Sequence, residues 1–196
     1  MPVLVLSHSE LNHRPQQVQE ILEPLRPLDK KHRVKPAACG VAHARAFEVI
    51  IAAHDGKQPA EYEKWSMSTN SSALSAAYHE HWAKDSASKK WHLDKSYLTI
   101  FVKTRPDPTP VLCVHCDPNE PDDRAHYAYK CVPHVHLEAA PSPYPKMHIA
   151  LYRCCTKKIL SSLPAFDAAL HDAMLMLRDE LLPLDGASLL SAALKE

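Results

Sequence analysis

The stretch at residues 131–152, CVPHVHLEAAPSPYPKMHIALY, decides how the second half of this chain is read. On either side of AAPSPYP, apolar and polar residues alternate with a period of two, the mark of a half-buried strand. Val135 and Leu137 share one face of the first run, and His134, His136 and Glu138 share the other. In the second run Met147, Ile149 and Leu151 point one way and His148, Ala150 and Tyr152 the other. Pairing Glu138 with Lys146 across the loop sets Val135 and Leu137 beside Ile149 and Met147. The same register sets His136 opposite His148, with Cβ atoms about 5 Å apart. Pro133 marks an edge or a bulge at the start of the first run.

The period of two extends upstream. Leu98, Ile100 and Val102 alternate with Tyr97, Thr99 and Phe101, the segment RPDPTP turns the chain, and Leu112 and Val114 then alternate with Cys113 and His115. Four runs in succession predict a four-stranded antiparallel β-meander from about residue 96 to 153. Downstream, Ser161-Ser162 can cap a helix with Pro164 in its first turn. Its stripe of Leu163, Phe166, Leu170, Met174, Leu177 and Leu181 predicts a C-terminal helix packed on the apolar face of the meander, ended by Pro183. A short helix over 187–194 is expected to follow it.

The N-terminal part reads as helices. Val18, Ile21, Leu22 and Leu25 have helical spacing, interrupted by Pro24. Residues 41–53 predict an amphipathic helix stopped at His54-Asp55-Gly56, Pro59-Ala60-Glu61 opens another, and residues 73–84 a third after the polar run 66–72. The whole is an α+β reading of one domain over 1–196, helical to about residue 90 and sheet plus C-terminal helices beyond about 91.

Composition narrows the function. With 23 basic against 23 acidic side chains, the molecule as a whole has no attraction for nucleic acid, so a nucleic-acid partner would need a local patch. Three glycines against 17 prolines leave little material for loops that cradle phosphates. The opening MPVLVLSH is apolar for too few residues to be a membrane span or a signal h-region, so a cytoplasmic protein without a membrane partner and with its six cysteines reduced is expected. Cys113-Val114-His115-Cys116 is no zinc knuckle: on a strand the two thiols face opposite ways and no second pair follows at matching spacing. His79 and His81, on a helix, would stand about 200° apart and share no ligand sphere.

The chemistry therefore concentrates on the meander. His134, His136 and His148 offer three imidazoles to a divalent metal, zinc or manganese. Glu138 is the expected general base or fourth ligand, and His115, at the equivalent parity of the second strand, a further catalytic residue. Three protein ligands with an open position activate water at neutral pH, which makes a metal-dependent hydrolase the first reading, with a phosphodiesterase or nuclease as its specific form. The alternative is a non-catalytic module that offers a histidine-rich surface to a protein partner. His134-Val135-His136 also resembles the histidine-hydrophobe-histidine motif of the HUH single-strand DNA nucleases, in which two histidines hold a divalent metal and a tyrosine on a nearby helix attacks the phosphodiester. The helix after residue 162 contains no tyrosine, so the resemblance stops at the metal motif.

Overall fold

The computed structural model describes residues 4–25, 38–54, 64–67, 74–102, 107–118, 133–137, 147–150 and 156–181. In chain order these form β1 (Val5–Leu6), α1 (His8–Ile21), a 3-10 turn (Glu23–Leu25), β2 (Ala38–Ala44), β3 (Glu48–His54), β4 (Trp65–Ser66), β5 (Leu74–Lys84), β6 (Trp91–Val102), β7 (Thr109–Cys116), β8 (His134–Leu137), β9 (Met147–Ala150), α2 (Thr156–Ile159) and α3 (Leu163–Leu181). Among the described residues nine strands join one antiparallel sheet, seven of them in the order β2-β3-β5-β6-β7-β8-β9. The other two fill strand ends: β4 pairs with Ser75 and Ala76 of β5, and β1 with Trp91 and His92 of β6.

The α+β class is as expected, but the sheet is larger than the four strands expected: β6 to β9 are four of nine among the described residues. The register of β8 on β9 matches the sequence reading, with Val135 opposite Ile149, Leu137 opposite Met147 and His136 opposite His148. Among the described residues the first of the expected N-terminal helices is a helix. It opens with a capping box, Ser7 Oγ accepting from the Glu10 amide while Glu10 Oε2 accepts from the Ser7 amide at 2.7 Å. The two segments expected as helices at 41–53 and 73–84 are instead strands: β2 and β3 form a hairpin around Phe47, and β5 lies between β3 and β6.

The reason lies in burial. Val49, Ile50, Ile51, Ala52 and Ala53 are all buried, as are seven successive residues of β5 from Ala76 to Trp82. A strand covered on both faces has no polar alternation to reveal it, and the alanines of LSAAYHEHWAK read as helix formers. The β-branched run Val49-Ile50-Ile51 was the contrary signal. The helices expected from residue 59 and at 187–194 lie outside the described residues.

One face of the sheet carries the main core. Tyr78 and Trp82 of β5, Leu98 and Ile100 of β6, Val114 of β7 and Val135 of β8 cluster there with Val18, Ile21 and Leu25 of the first helical layer and Phe166, Leu170, Met174 and Leu177 of α3. Helix α3 lies against α1 and the 3-10 turn. Among the described residues no helix is long and apolar enough to cross a membrane.

A polar network is set inside this core. Arg14 of α1 and Glu80 of β5 have side chains with 0% exposure and meet fork to fork, Nε to Oε2 at 2.9 Å and Nη2 to Oε1 at 2.7 Å. Tyr78 and Trp82 complete the carboxylate, donating to Oε1 at 2.7 Å and Oε2 at 2.8 Å. The Tyr78 hydroxyl thus accepts from Ser96 at 3.0 Å. The far side of the guanidinium grips Asp167 of α3, Nη1 to Oδ2 at 2.7 Å and Nη2 to Oδ1 at 2.8 Å. Burial pushes the Glu80 carboxyl up, but Arg14 and the three-sided hydrogen bonding outweigh it and hold the group below its ordinary value. Asp167 goes the other way: burial raises it, and Arg14 offsets this only in part.

Two outcomes follow. Arg14→Met strands two carboxylates in the core and is expected to cost about 3–5 kcal/mol in urea denaturation; a loss below about 1 kcal/mol would mean the network does not hold the layers together. Glu80 also sets a pH dependence. Its folded pKa is depressed, so its contribution is complete above the ordinary value near 4.5 and disappears as the pH falls through the folded value. Asp167, with a raised folded pKa, contributes most in acid and less as the pH rises through that value. Urea midpoints measured from about pH 7 to about pH 3 should therefore fall steeply in acid for the wild type and less steeply for Glu80→Gln; parallel curves would remove Glu80 as the origin of the acid limb.

Candidate metal centre

The opposite face of the sheet is where imidazoles collect. Cross-strand pairing sets His79, Tyr97, His115 and His134 in one row running over β5, β6, β7 and β8. A second row, one pleat away, runs Thr99, Cys113, His136 and, by backbone register, His148. Residues two apart on a strand share a face, so Thr99, Cys113 and His136 project to the same side as Tyr97, His115 and His134. The rings touch along the row: His79 stacks on Tyr97 at 5.4 Å between centroids, Tyr97 on His115 at 5.0 Å, and His115 lies 4.0 Å from His134 and 4.2 Å from His136.

Three of these histidines form a donor group. One ring nitrogen each from His115, His134 and His136 lie within 4.8 Å of one another. Three nitrogens bound to one zinc at about 2.0–2.1 Å stand about 3.4 Å apart, so small side-chain rotations close the group around an ion. His134 is fully buried, His115 keeps 7% of its surface, and His136 is the most open of the three. His115 is central, in ring contact with both others. Its Nε2 is buried and makes no hydrogen bond. Among the described residues, then, this ring nitrogen has no hydrogen-bonding partner.

The second nitrogen of His115 meets a carboxylate. Nδ1 lies 3.1 Å from Asp117 Oδ2, at ion-pair distance although its N–H is not aligned as a hydrogen bond. The other oxygen, Oδ1, accepts from the Tyr97 hydroxyl at 2.8 Å. Burial raises the Asp117 carboxyl, but its contacts with His115 and Tyr97 prevail and hold it below the usual aspartate value, so it is a carboxylate at neutral pH. Cys113 stands opposite His136, its Sγ accepting from Thr99 Oγ1 at 3.5 Å, and it is not part of the three-nitrogen group.

The expected ligands His134 and His136 are thus brought together, and His115, expected in a catalytic role, joins them as a donor. For His148 the strand backbone gives the position opposite His136. Glu138 lies outside the described residues. Sequence reasoning missed Asp117, which sits at the first residue past β7 in what reads as a turn, and did not connect Tyr97 to His115, because the register across RPDPTP has no unique solution in the sequence. It also misplaced His79 and His81. On β5 they are two apart and share a face, with ring centroids at 5.3 Å and His81 Nδ1 3.4 Å from Glu48 Oε1. A cavity of about 380 Å³ between α1 and the start of α3, lined by Leu6, His13 and Leu163 among others, shares no residue with the histidine group.

No protein-family model, curated protein or solved structure matches this chain.

Proposed function

We propose that the protein is a metal-dependent hydrolase that holds one divalent ion, zinc or manganese, on His115, His134 and His136. The observation that carries this reading is the convergence of three ring nitrogens within 4.8 Å on a largely buried sheet face. Neutral imidazoles suit zinc and its neighbours among the transition metals. Three protein ligands leave a fourth position, and an ion there supplies a bound water whose pKa falls to near neutrality. Glu138, one residue beyond the end of β8, serves in this reading as the base that takes the proton of that water. Substrate would approach from the side of His136, the least buried of the three.

A phosphodiester is the substrate class proposed. Its anionic oxygens would bind the open face of the ion, and Lys95, on the same side of β6 as Tyr97 with its Nζ 5.9 Å from that ring, provides local positive charge in a molecule whose net charge is zero. One observation favours a second reading. The burial of His134 and His115 suits an ion that ties β7 to β8 and takes no part in chemistry, in a module whose histidine-rich face meets a protein partner.

Metal analysis by mass spectrometry on untagged protein should find close to one ion per chain after incubation with zinc or manganese. His115→Ala, His134→Ala and His136→Ala should each weaken binding by more than about 100-fold, beyond the loss typical of a residue that only supports a ligand. Equal metal content in wild type and all three variants would move the site elsewhere. The same wild-type protein should release p-nitrophenolate from bis(p-nitrophenyl) phosphate, losing the activity to a chelator and recovering it on re-addition of metal. Bound metal with no hydrolysis of this ester or of single-stranded oligonucleotides would leave the second reading in its place.

A further inference from the structure

Resting on the reading of His115 as a ligand, we propose that Asp117 is a positioning residue that holds the His115 proton on Nδ1 and so turns the Nε2 lone pair toward the ion, and that Tyr97 fixes Asp117 for this task. Three observations converge on it. Asp117 Oδ2 stands 3.1 Å from His115 Nδ1, close enough that a small rotation of the ring makes a charge-assisted hydrogen bond. Asp117 is 7% exposed, so this bond would form with little competition from water. The opposite nitrogen, Nε2, is buried without a hydrogen bond, which a protonated Nε2–H in the same place would leave as a stranded donor.

Geometry also explains why Tyr97 belongs to the device. Tyr97 and His115 are cross-strand partners, stacked at 5.0 Å with 28° between ring planes, so the ring sets the plane of the imidazole while the hydroxyl, 2.8 Å from Oδ1, sets the carboxylate. A carboxylate behind a ligand imidazole raises its basicity and orients it, and the loss of such a partner lowers metal affinity about 10–100-fold. The ligand class implied is a borderline divalent cation that accepts nitrogen donors, with zinc as the natural occupant and cobalt as its spectroscopic substitute.

The test begins with metal-free protein labelled with nitrogen-15 at histidine, near pH 8 where an ordinary imidazole is neutral. Long-range proton–nitrogen spectra should show His115 protonated on Nδ1. Asp117→Ala should shift it toward the Nε2–H form, and Asp117→Asn, whose amide oxygen still accepts, should keep the Nδ1–H form. Cobalt titration should then show binding weakened about 10–100-fold in Asp117→Ala, partly recovered in Asp117→Asn, and weakened less in Tyr97→Phe, which keeps the stacked ring and removes only the hydroxyl. A wild-type His115 protonated on Nε2, or a tautomer and a cobalt affinity unchanged in Asp117→Ala, overturns the proposal. A tautomer that moves as stated in a wild-type protein that binds no cobalt, zinc or manganese upholds the positioning by Asp117 and overturns the metal reading instead.

Discussion

The guanidinium of Arg14 is the point on which the layers of this molecule are fastened. It has carboxylates on two sides, one from the middle of β5 and one from α3, and it is itself part of α1. Placing a cation and two anions away from water is unfavourable unless nearly every lone pair and proton is used. Here both oxygens of Glu80 accept twice, from Arg14 and from Tyr78 or Trp82. Such a network does little to raise stability above that of a well-packed apolar core. What it does is penalise every arrangement in which α1 or α3 shifts along the sheet, because a shifted helix leaves a bare charge in the core. Apolar stripes such as Phe166, Leu170, Met174 and Leu177 supply the attraction between layers, and the fork geometry of Arg14 selects one alignment from the many that attraction alone would permit.

The same strand carries the other face of the argument. Glu80 points into the helical layer, while its neighbours His79 and His81 belong to the opposite side, where the imidazole row begins. Fixing β5 from one side therefore fixes the phase of the row on the other. From His79 the positions of Tyr97, His115 and His134 follow by antiparallel pairing, one strand at a time. A slip of one residue between β7 and β8 would bring Val135 onto the histidine face and send His134 and His136 into the apolar core, where Val114 and Val135 now meet. The donor group is thus a consequence of sheet register, and the register is enforced by the cost of misplacing both kinds of side chain at once.

This is also why some of the structure was legible in the sequence and some was not. The β8–β9 register could be read over its described pairs, His134–Ala150 to Leu137–Met147, because the two faces differ in character and a single pairing satisfies both. β6 and β7 could be read as strands for the same reason, yet the proline-rich connection between them hid the pairing of Tyr97 with His115. β3 and β5 were misread as helices, since burial on both sides removes the alternation that identifies a strand, and the row lost His79 with them. Asp117 follows β7 directly, in a segment where aspartates are expected for turn formation, and nothing in its sequence context separates a turn former from a partner of His115.

The placement of His115 bears on what the centre can do. In the hairpin alone, His134 and His136 come from one strand, and their rings, 5.4 Å apart at an angle of 61°, form the two-point grip that any His-x-His strand offers. His115 on the neighbouring strand adds a third ring nitrogen within 4.8 Å, so an ion held there, as proposed, would keep a position free for water. His115 is also the member whose Nδ1 lies beside a carboxylate, which in the proposed reading would strengthen it as a donor. A site made to hold an ion for stability alone would be served best by four closed ligands, with cysteine as a strong candidate. Cys113 stands beside the group and is left out of it. In the proposed reading, three imidazoles with a thiol kept aside would suit an ion that also binds water and exchanges it for substrate.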